Sequence, residues 1–449
     1  MNMLRAAGAS RPFREPYFGM KSSSVDRRGF LTVGIAALSV AITRGEQQRT
    51  DPVTLTDWLK ATPDNRRRGL QSCLERIRAT DSSIHAWVEV VSQPSTGRGT
   101  LAGIPYGVKD IIETRGVTTA YGSPIYKGRK GTVDAAIIRQ MQNHGAVMLG
   151  KTETTGFAYR TPPPTRNPRD LAHTPGGSSS GSAAAVAAGM VPLAIGEQTL
   201  GSVLRPASFC GVTGFKPTYG LLSMEGVLPL AKSLDTLGFF THGADDMLAL
   251  WSALGYPNGH SEDFEFGAPE PMPEVDAAMS AAFKSGLERM RRAGVRIRSI
   301  DIADTLAKLS DAANTIMFYE GARFHGARYR EYGDRLDALA QLVRDGLQIP
   351  VERYEETRRF VDAGKVQMGK TFVTTPVILT PAAVGPAPLG LAYTGDTRMN
   401  APWTALGTPA ISIPMPIASG LPLGLQLTGA PGEDARVLRA AVSLQQLLR

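Results

Sequence analysis

The sequence has almost no cysteine and little histidine. Cys73 and Cys210 are the two cysteines in 449 residues, and they form no CxxC pair. That excludes a zinc-ribbon or CxxC redox motif. One disulfide would be open to them in an oxidising compartment. Two buried thiols are the expectation, because free cysteine is among the most buried residue types. The six histidines never fall in HxxxH or HExxH, so a metal site of that pattern is unsupported. No lysine–arginine run is interleaved with aromatics, so nothing suggests a nucleic-acid groove.

What is present is ordinary for a soluble globular chain, at 42% hydrophobic and 20% charged. The net charge of +8 is concentrated near the start, in Arg5, Arg11, Arg14, Lys21, Arg27, Arg28, Arg44 and Arg49. It therefore bears on targeting rather than on nucleic acid. Arg27-Arg28-Gly29-Phe30-Leu31 resembles the twin-arginine export motif, and the apolar stretch Leu31–Ile42 follows it. That stretch is shorter than the roughly 20 residues needed to span a bilayer, and it fits the apolar region of a signal peptide. Ser39-Val40-Ala41 supplies a small-x-small cleavage site. The expected organisation is a signal peptide over 1–41 with the true start at Met20, a linker over 42–53, and one domain over 54–449. The expected location is periplasmic or secreted, with membrane contact only during export.

Further along, apolar spacing predicts helices over 56–60 and 65–79, with Leu70, Cys73, Leu74 and Ile77 recurring at intervals of three and four. A weak strand is expected over 85–91 and a short apolar one within 101–110, ending on Lys109. A helix over 134–144 is stopped by Gly145, and a buried strand follows over 146–149. Residues 260–275 read as an acidic, proline-bearing loop. A helix over 276–292, a strand over 295–300 and mostly helix over 303–370 come next. Strands over 377–379, 409–414 and 424–427 and a closing helix over 433–448 complete the pattern. Helix and strand in alternation argue an α/β sheet.

The centre of the chain is residues 173–208, HTPGGSSSGSAAAVAAGMVPLAIGEQTLGSVLRPAS. A glycine–serine loop runs into an alanine-rich helix, then a short apolar strand, then a second glycine–serine turn. A linker would not continue into an uncharged helix and a strand. Alanine favours helix and keeps it thin, so the two loops become neighbours that each offer hydroxyls. Serine is a weak nucleophile without a base.

These residues belong to a series of separated motifs: GIPYGVKD at 103–110, HTPGGSSSGSAAAVAAG at 173–189, GEQTLGSVLRPAS at 196–208, GFKPTYG at 214–220, SLDTLG at 233–238 and LPLGLQLTGAPGED at 421–434. In that order they resemble the amidase signature family. The resemblance implies an α/β/α sandwich around a large mixed β-sheet, with neither metal nor organic cofactor. It implies a Ser–cis-Ser–Lys triad: Ser202 as nucleophile, Ser178 as bridging serine after a cis peptide from Gly177, and Lys109 as base. Ser179 matches a position that hydrogen-bonds the lysine. The backbone N–H groups of Thr199, Leu200, Gly201 and Ser202 match the oxyanion hole. Asp235 is read as a carboxylate that fixes a loop.

The sequence departs from the family pattern at three places. Gln198 stands where an aspartate is usual, Leu200 where a glycine is usual, and Leu204 where an arginine is usual, with Arg205 one position later. Leucine would strain the loop if that position needed positive φ. The expected activity is hydrolysis of a small-molecule amide. Two alternatives are carried: a glutaminase resembling the A subunit of a tRNA-dependent amidotransferase, and a secreted binding protein on a decayed scaffold. The middle segment, 255–370, is expected to shape the pocket. Its Phe318, Tyr319, Phe324 and Tyr329 are candidates to line it, with helical core packing the competing expectation.

Overall fold

The computed structural model describes residues 51–92, 97–260, 264–417 and 419–448. The expected signal peptide and nearly all of the expected linker lie outside these described residues.

Two helices begin the described chain, α1 (Leu55–Lys60) and α2 (Pro63–Ile84). Thr54 and Thr62 cap them, their side-chain oxygens accepting from the N–H groups of Asp57 and Asn65. Pro63 opens α2, where a missing N–H breaks no helical bond. The first half then runs β1 (Trp87–Val90), β2 (Pro105–Lys109), α3 (Ala136–Asn143), β3 (Val147–Thr152), α4 (Ser180–Ala187), β4 (Leu193–Gln198), α5 (Leu204–Cys210), β5 (Thr213–Lys216), β6 (Thr236–Thr241) and α6 (Ala244–Ala253). The second half contains β7 (Phe266–Pro269), α7 (Ala277–Arg292), β8 (Ile297–Ile300), α8 (Ala303–Tyr332), α9 (Ala338–Leu347), α10 (Val351–Thr374), β9 (Val377–Pro381), α11 (Ala401–Ala405), β10 (Ala410–Pro414), β11 (Gly424–Gly429) and α12 (Asp434–Leu448).

The eleven strands among the described residues form one mixed sheet in the order β1-β3-β2-β4-β6-β5-β10-β11-β9-β7-β8. β2 is parallel to β3 and β4, β7 is parallel to β8 and β9, and the other neighbours are antiparallel. The large mixed α/β sheet is the expected fold. Strands β2, β3, β4, β6, β9 and β11 are buried along their whole length. Burial on both faces explains why they show no alternating pattern.

α4 is buried from Ser180 to Val186. A Cβ on its Gly181 would stand 2.2 Å from Ala86 O and 2.4 Å from Glu153 N. The helix thus lies closer to the neighbouring backbone than any side chain would allow. Cys73 and Cys210 are both free and buried.

One expectation is corrected. The acidic loop over 260–275 carries β7, held in parallel register between β9 and β8. Gly267 and Pro269 have poor strand propensity, so it is the pairing partners that hold this segment extended. The helical stretch over 303–370 divides into three, broken at Gly333 (φ 54°) and at Pro350. At the far edge, β8 is half exposed. Glu265 pairs with Arg298 at 2.9 Å and with Arg296 at 3.9 Å beside that edge.

Candidate active site

Parallel pairing places the carboxyl ends of β2 and β4 side by side, with Val108 opposite Ile195. Lys109 therefore ends β2 next to the end of β4, and it is fully buried. Its Nζ donates to Ser178 Oγ at 2.7 Å, Glu197 Oε2 at 2.9 Å and the Glu197 carbonyl at 3.1 Å. Burial lowers the Lys109 pKa from its ordinary value, while the Glu197 and Asp235 charges act to raise it.

Two other lysines are fully buried among the described residues, and neither touches a serine of the site. Lys151 donates to Ile112 O and Thr119 Oγ1 and lies 3.6 Å from Asp110. Lys216 donates to Pro217 O at 2.9 Å and Thr408 O at 2.6 Å.

Ser178 follows a cis peptide from Gly177, as the resemblance implied. The Ser179 hydroxyl sits elsewhere than expected. It donates to the Glu197 carbonyl at 3.1 Å and accepts from the Glu197 N–H at 3.3 Å. Ser179 and Lys109 thus share one carbonyl acceptor, and the serine touches the backbone that anchors the lysine. The Ser179 N–H reaches Ser202 O at 3.4 Å, joining the two loops.

Ser202 lies in the turn between β4 and α5, at the wall of a cavity of about 400 Å³ that Ser178 also lines. The N–H groups of Leu200, Gly201 and Ser202 have no acceptor among the described residues. Leu200 does not adopt positive φ, so leucine brings no strain to this turn. Leu200 instead forms part of the cavity wall. A Cβ on Gly201 would stand 2.6 Å from Asn400 Oδ1, which accounts for glycine there.

Gln198 has a clear task. Its Oε1 accepts from the N–H groups of Val203 (2.9 Å) and Leu204 (3.1 Å) at the start of α5, and its Nε2 donates to Thr404 Oγ1 (3.0 Å). An amide supplies the acceptor those orphan amides need. Asp235 fixes a loop, in keeping with its reading from the sequence. Its carboxyl accepts from the Leu230 and Ala231 N–H groups and lies 2.7 Å from Thr199 Oγ1.

Two site residues were missed. Glu197 is 1% exposed and forms the ion pair with Lys109. Its only sequence signal was a charge just after the apolar run of β4. Arg205 is buried in the cavity wall, donating Nη2 to Gly177 O at 2.6 Å. Its Nε and Nη1 have no partner among the described residues. Burial lowers its pKa to about 10.

The middle segment does reach the cavity, through Asn314 and Met317 of α8. Phe318, Tyr319, Phe324 and Tyr329 do not line it. Phe318 packs on Tyr159, and Tyr319 stacks on Tyr354 at 4.0 Å.

Serine hydroxyls and a buried lysine, gathered at the carboxyl ends of parallel strands in a large mixed sheet, define an α/β enzyme site of the serine–lysine kind. The chain belongs to the amidase family, whose profile matches residues 69–438. It is 30% identical to the A subunit of glutamyl-tRNA(Gln) amidotransferase from Salinispora arenicola, over 84% of this chain and 92% of that protein. A crystal structure of an amidase superposes with TM-score 0.77 at 27% identity, covering 90% of this chain and 98% of the other. The glutamyl-tRNA(Gln) amidotransferase A subunit of Thermotoga maritima superposes with TM-score 0.74 at 29% identity, covering 86% of this chain and 92% of the other.

Proposed function

We propose that this chain hydrolyses a small-molecule amide through Ser202, Ser178 and Lys109, and that it does so after export. The observation that carries the catalytic part is the 2.7 Å contact from Lys109 Nζ to Ser178 Oγ. With Lys109 neutral, its lone pair takes the Ser178 proton while Ser178 takes the proton of Ser202. Ser202 Oγ then bonds to the amide carbon, and the carbonyl oxygen becomes an oxyanion. The unpaired N–H groups of Leu200, Gly201 and Ser202 support the oxyanion hole that the resemblance assigns to Thr199, Leu200, Gly201 and Ser202. Each such donor is worth about 10²–10³ in rate. Collapse of the oxyanion breaks the carbon–nitrogen bond, and Ser178 returns a proton to the departing nitrogen. Water then attacks the acyl-enzyme by the same relay, leaving a carboxylate and free Ser202.

The unpaired N–H groups of Arg205 suit a substrate that carries an acceptor oxygen beyond the scissile amide. The amidotransferase relatives keep a glutaminase reading open. The twin-arginine-like Arg27-Arg28 run is the feature that favours a free-standing exported amidase.

Three measurements test these points. Ammonia release from simple amides without ATP or tRNA is the expected result, and a strict need for either would replace the amidase reading with the amidotransferase one. A serine-directed fluorophosphonate should label the protein and fail to label Ser202→Ala. Absence of labelling in the unmodified protein would favour a binding role. N-terminal sequencing of the exported protein should place the mature start near Ile42, and a start upstream of Arg27 would remove the export proposal.

A further inference from the structure

A neutral lysine amine has two N–H bonds and one lone pair. At Lys109 the three directions around Nζ are all occupied, by Ser178 Oγ, Glu197 Oε2 and the Glu197 carbonyl. Both acceptors other than the serine belong to one residue. If the two N–H bonds point at Glu197, the lone pair must point at Ser178, which is the direction proton transfer requires. We propose that Glu197 is a positioning residue for the base: its two oxygens aim the Lys109 lone pair at Ser178, and its charge sets the pH at which Lys109 is free to accept a proton. This rests on Lys109 being the base.

Few groups compete for Glu197. From β2 it faces Lys109, and from the loop before β6 it faces Asp235 across Thr199. Its partner on β6 is Leu237, which is apolar. Thr199 Oγ1 lies 3.1 Å from Glu197 Oε1 and 2.7 Å from Asp235 Oδ1. One hydroxyl hydrogen cannot serve two acceptors. Both contacts are satisfied when Asp235 is protonated and donates to Thr199, which in turn donates to Glu197. Burial and the Glu197 charge push the Asp235 carboxyl well above the usual carboxylate range, which agrees with that order. The site then holds one negative charge, on Glu197, opposite Lys109.

The experiment is the pH profile of kcat/KM with a neutral amide substrate, for the unmodified protein, Glu197→Gln, Glu197→Asp and Lys109→Ala. Loss of the Glu197 charge should move the rising limb to lower pH by about one to three units, the range for an opposite charge within contact distance. Glu197→Asp keeps the charge but withdraws it by one methylene, so its limb should move the same way by less. Glu197→Gln should also lower kcat at the plateau about tenfold or more with little change in KM, because the amine is held less firmly. A purely structural role would change the amount of folded enzyme without moving the limb. An unmoved limb in folded Glu197→Gln would overturn the proposal, as would an unmoved limb in Glu197→Asp should the glutamine variant not fold. If the limb persists in Lys109→Ala, the lysine is not the base, and that reading fails instead.

Discussion

At the scale of single residues, the site depends on groups whose burial would be costly unless each had a task. Lys109, Ser178 and Ser202 should behave as one unit. Replacing Lys109 or Ser178 by alanine should lower kcat by several orders of magnitude, and the double variant should be little worse than either, since groups acting together are not additive. Steady-state kinetics at pH 8 checks this, and near-normal turnover by Lys109→Ala would exclude the relay. Burial lowers the Lys109 pKa. Because the base must be deprotonated, kcat/KM should rise with pH and level off above that pKa. Lys109, Ser178 and Ser202 could be named as candidates from motifs alone. Glu197 and Arg205 could not, because burial of a charge is a property of the folded surroundings. Glu197 was only a charge near the end of a short strand, and Arg205 looked like a displaced copy of a usual neighbour. Leu200 raised a concern about strain that only its backbone conformation could answer.

At the scale of elements, the strands and helices with strong local signals were legible. The spacing of Cys73 and Ile77 marked α2, and the Ala146–Leu149 run marked β3. Other elements were not, among them β6, α11 and β7. β6 is buried along its whole length, so it shows no alternation. α11 is only five residues long. β7 is extended because β8 and β9 flank it, and no local propensity announces it. α4 supports a sharper expectation. Its glycine meets backbone atoms, which cannot move aside as a side chain could. Gly181→Ala should therefore force α4 away from Ala86 and Glu153. The expected loss of stability is about 1–3 kcal/mol, as for other overpacked cores. Because α4 begins two residues after Ser178, kcat should fall as well. Urea unfolding together with turnover measures both, and an unchanged midpoint would show that α4 has room the structure does not suggest.

At the scale of the whole molecule, acid stability should follow a residue that does not line the cavity. His325 of α8 is buried, with Nε2 3.1 Å from Pro229 O and Nδ1 3.1 Å from Arg328 Nη1. Arg328 can only donate, so Nδ1 accepts and Nε2 carries the hydrogen. Burial and the arginine lower its pKa from 6.5 to about 3. Between those values the unfolded chain binds a proton that the folded chain does not. Stability from this residue is therefore complete above about pH 6.5 and is lost as pH falls toward about 3. His325→Gln, which can keep a donor and an acceptor, should flatten the fall of the urea midpoint between pH 6.5 and 4. An equally steep fall would assign the acid sensitivity to other groups.

Among the described residues, the half-exposed β8 ends the sheet with no further strand beside it, and Arg296 and Arg298 stand along it with Glu265. An open strand of this kind is a template on which a second molecule could stack. Two positive charges brought against their own copies would repel, so the arginines should oppose self-association. Substituting both by valine should leave a fresh dilute preparation active yet make it polymerise on concentration, at a rate rising steeply with protein and visible as light scattering. The termination of the sheet would then be a matter of colloidal behaviour, settled by two side chains that lie apart from the cavity.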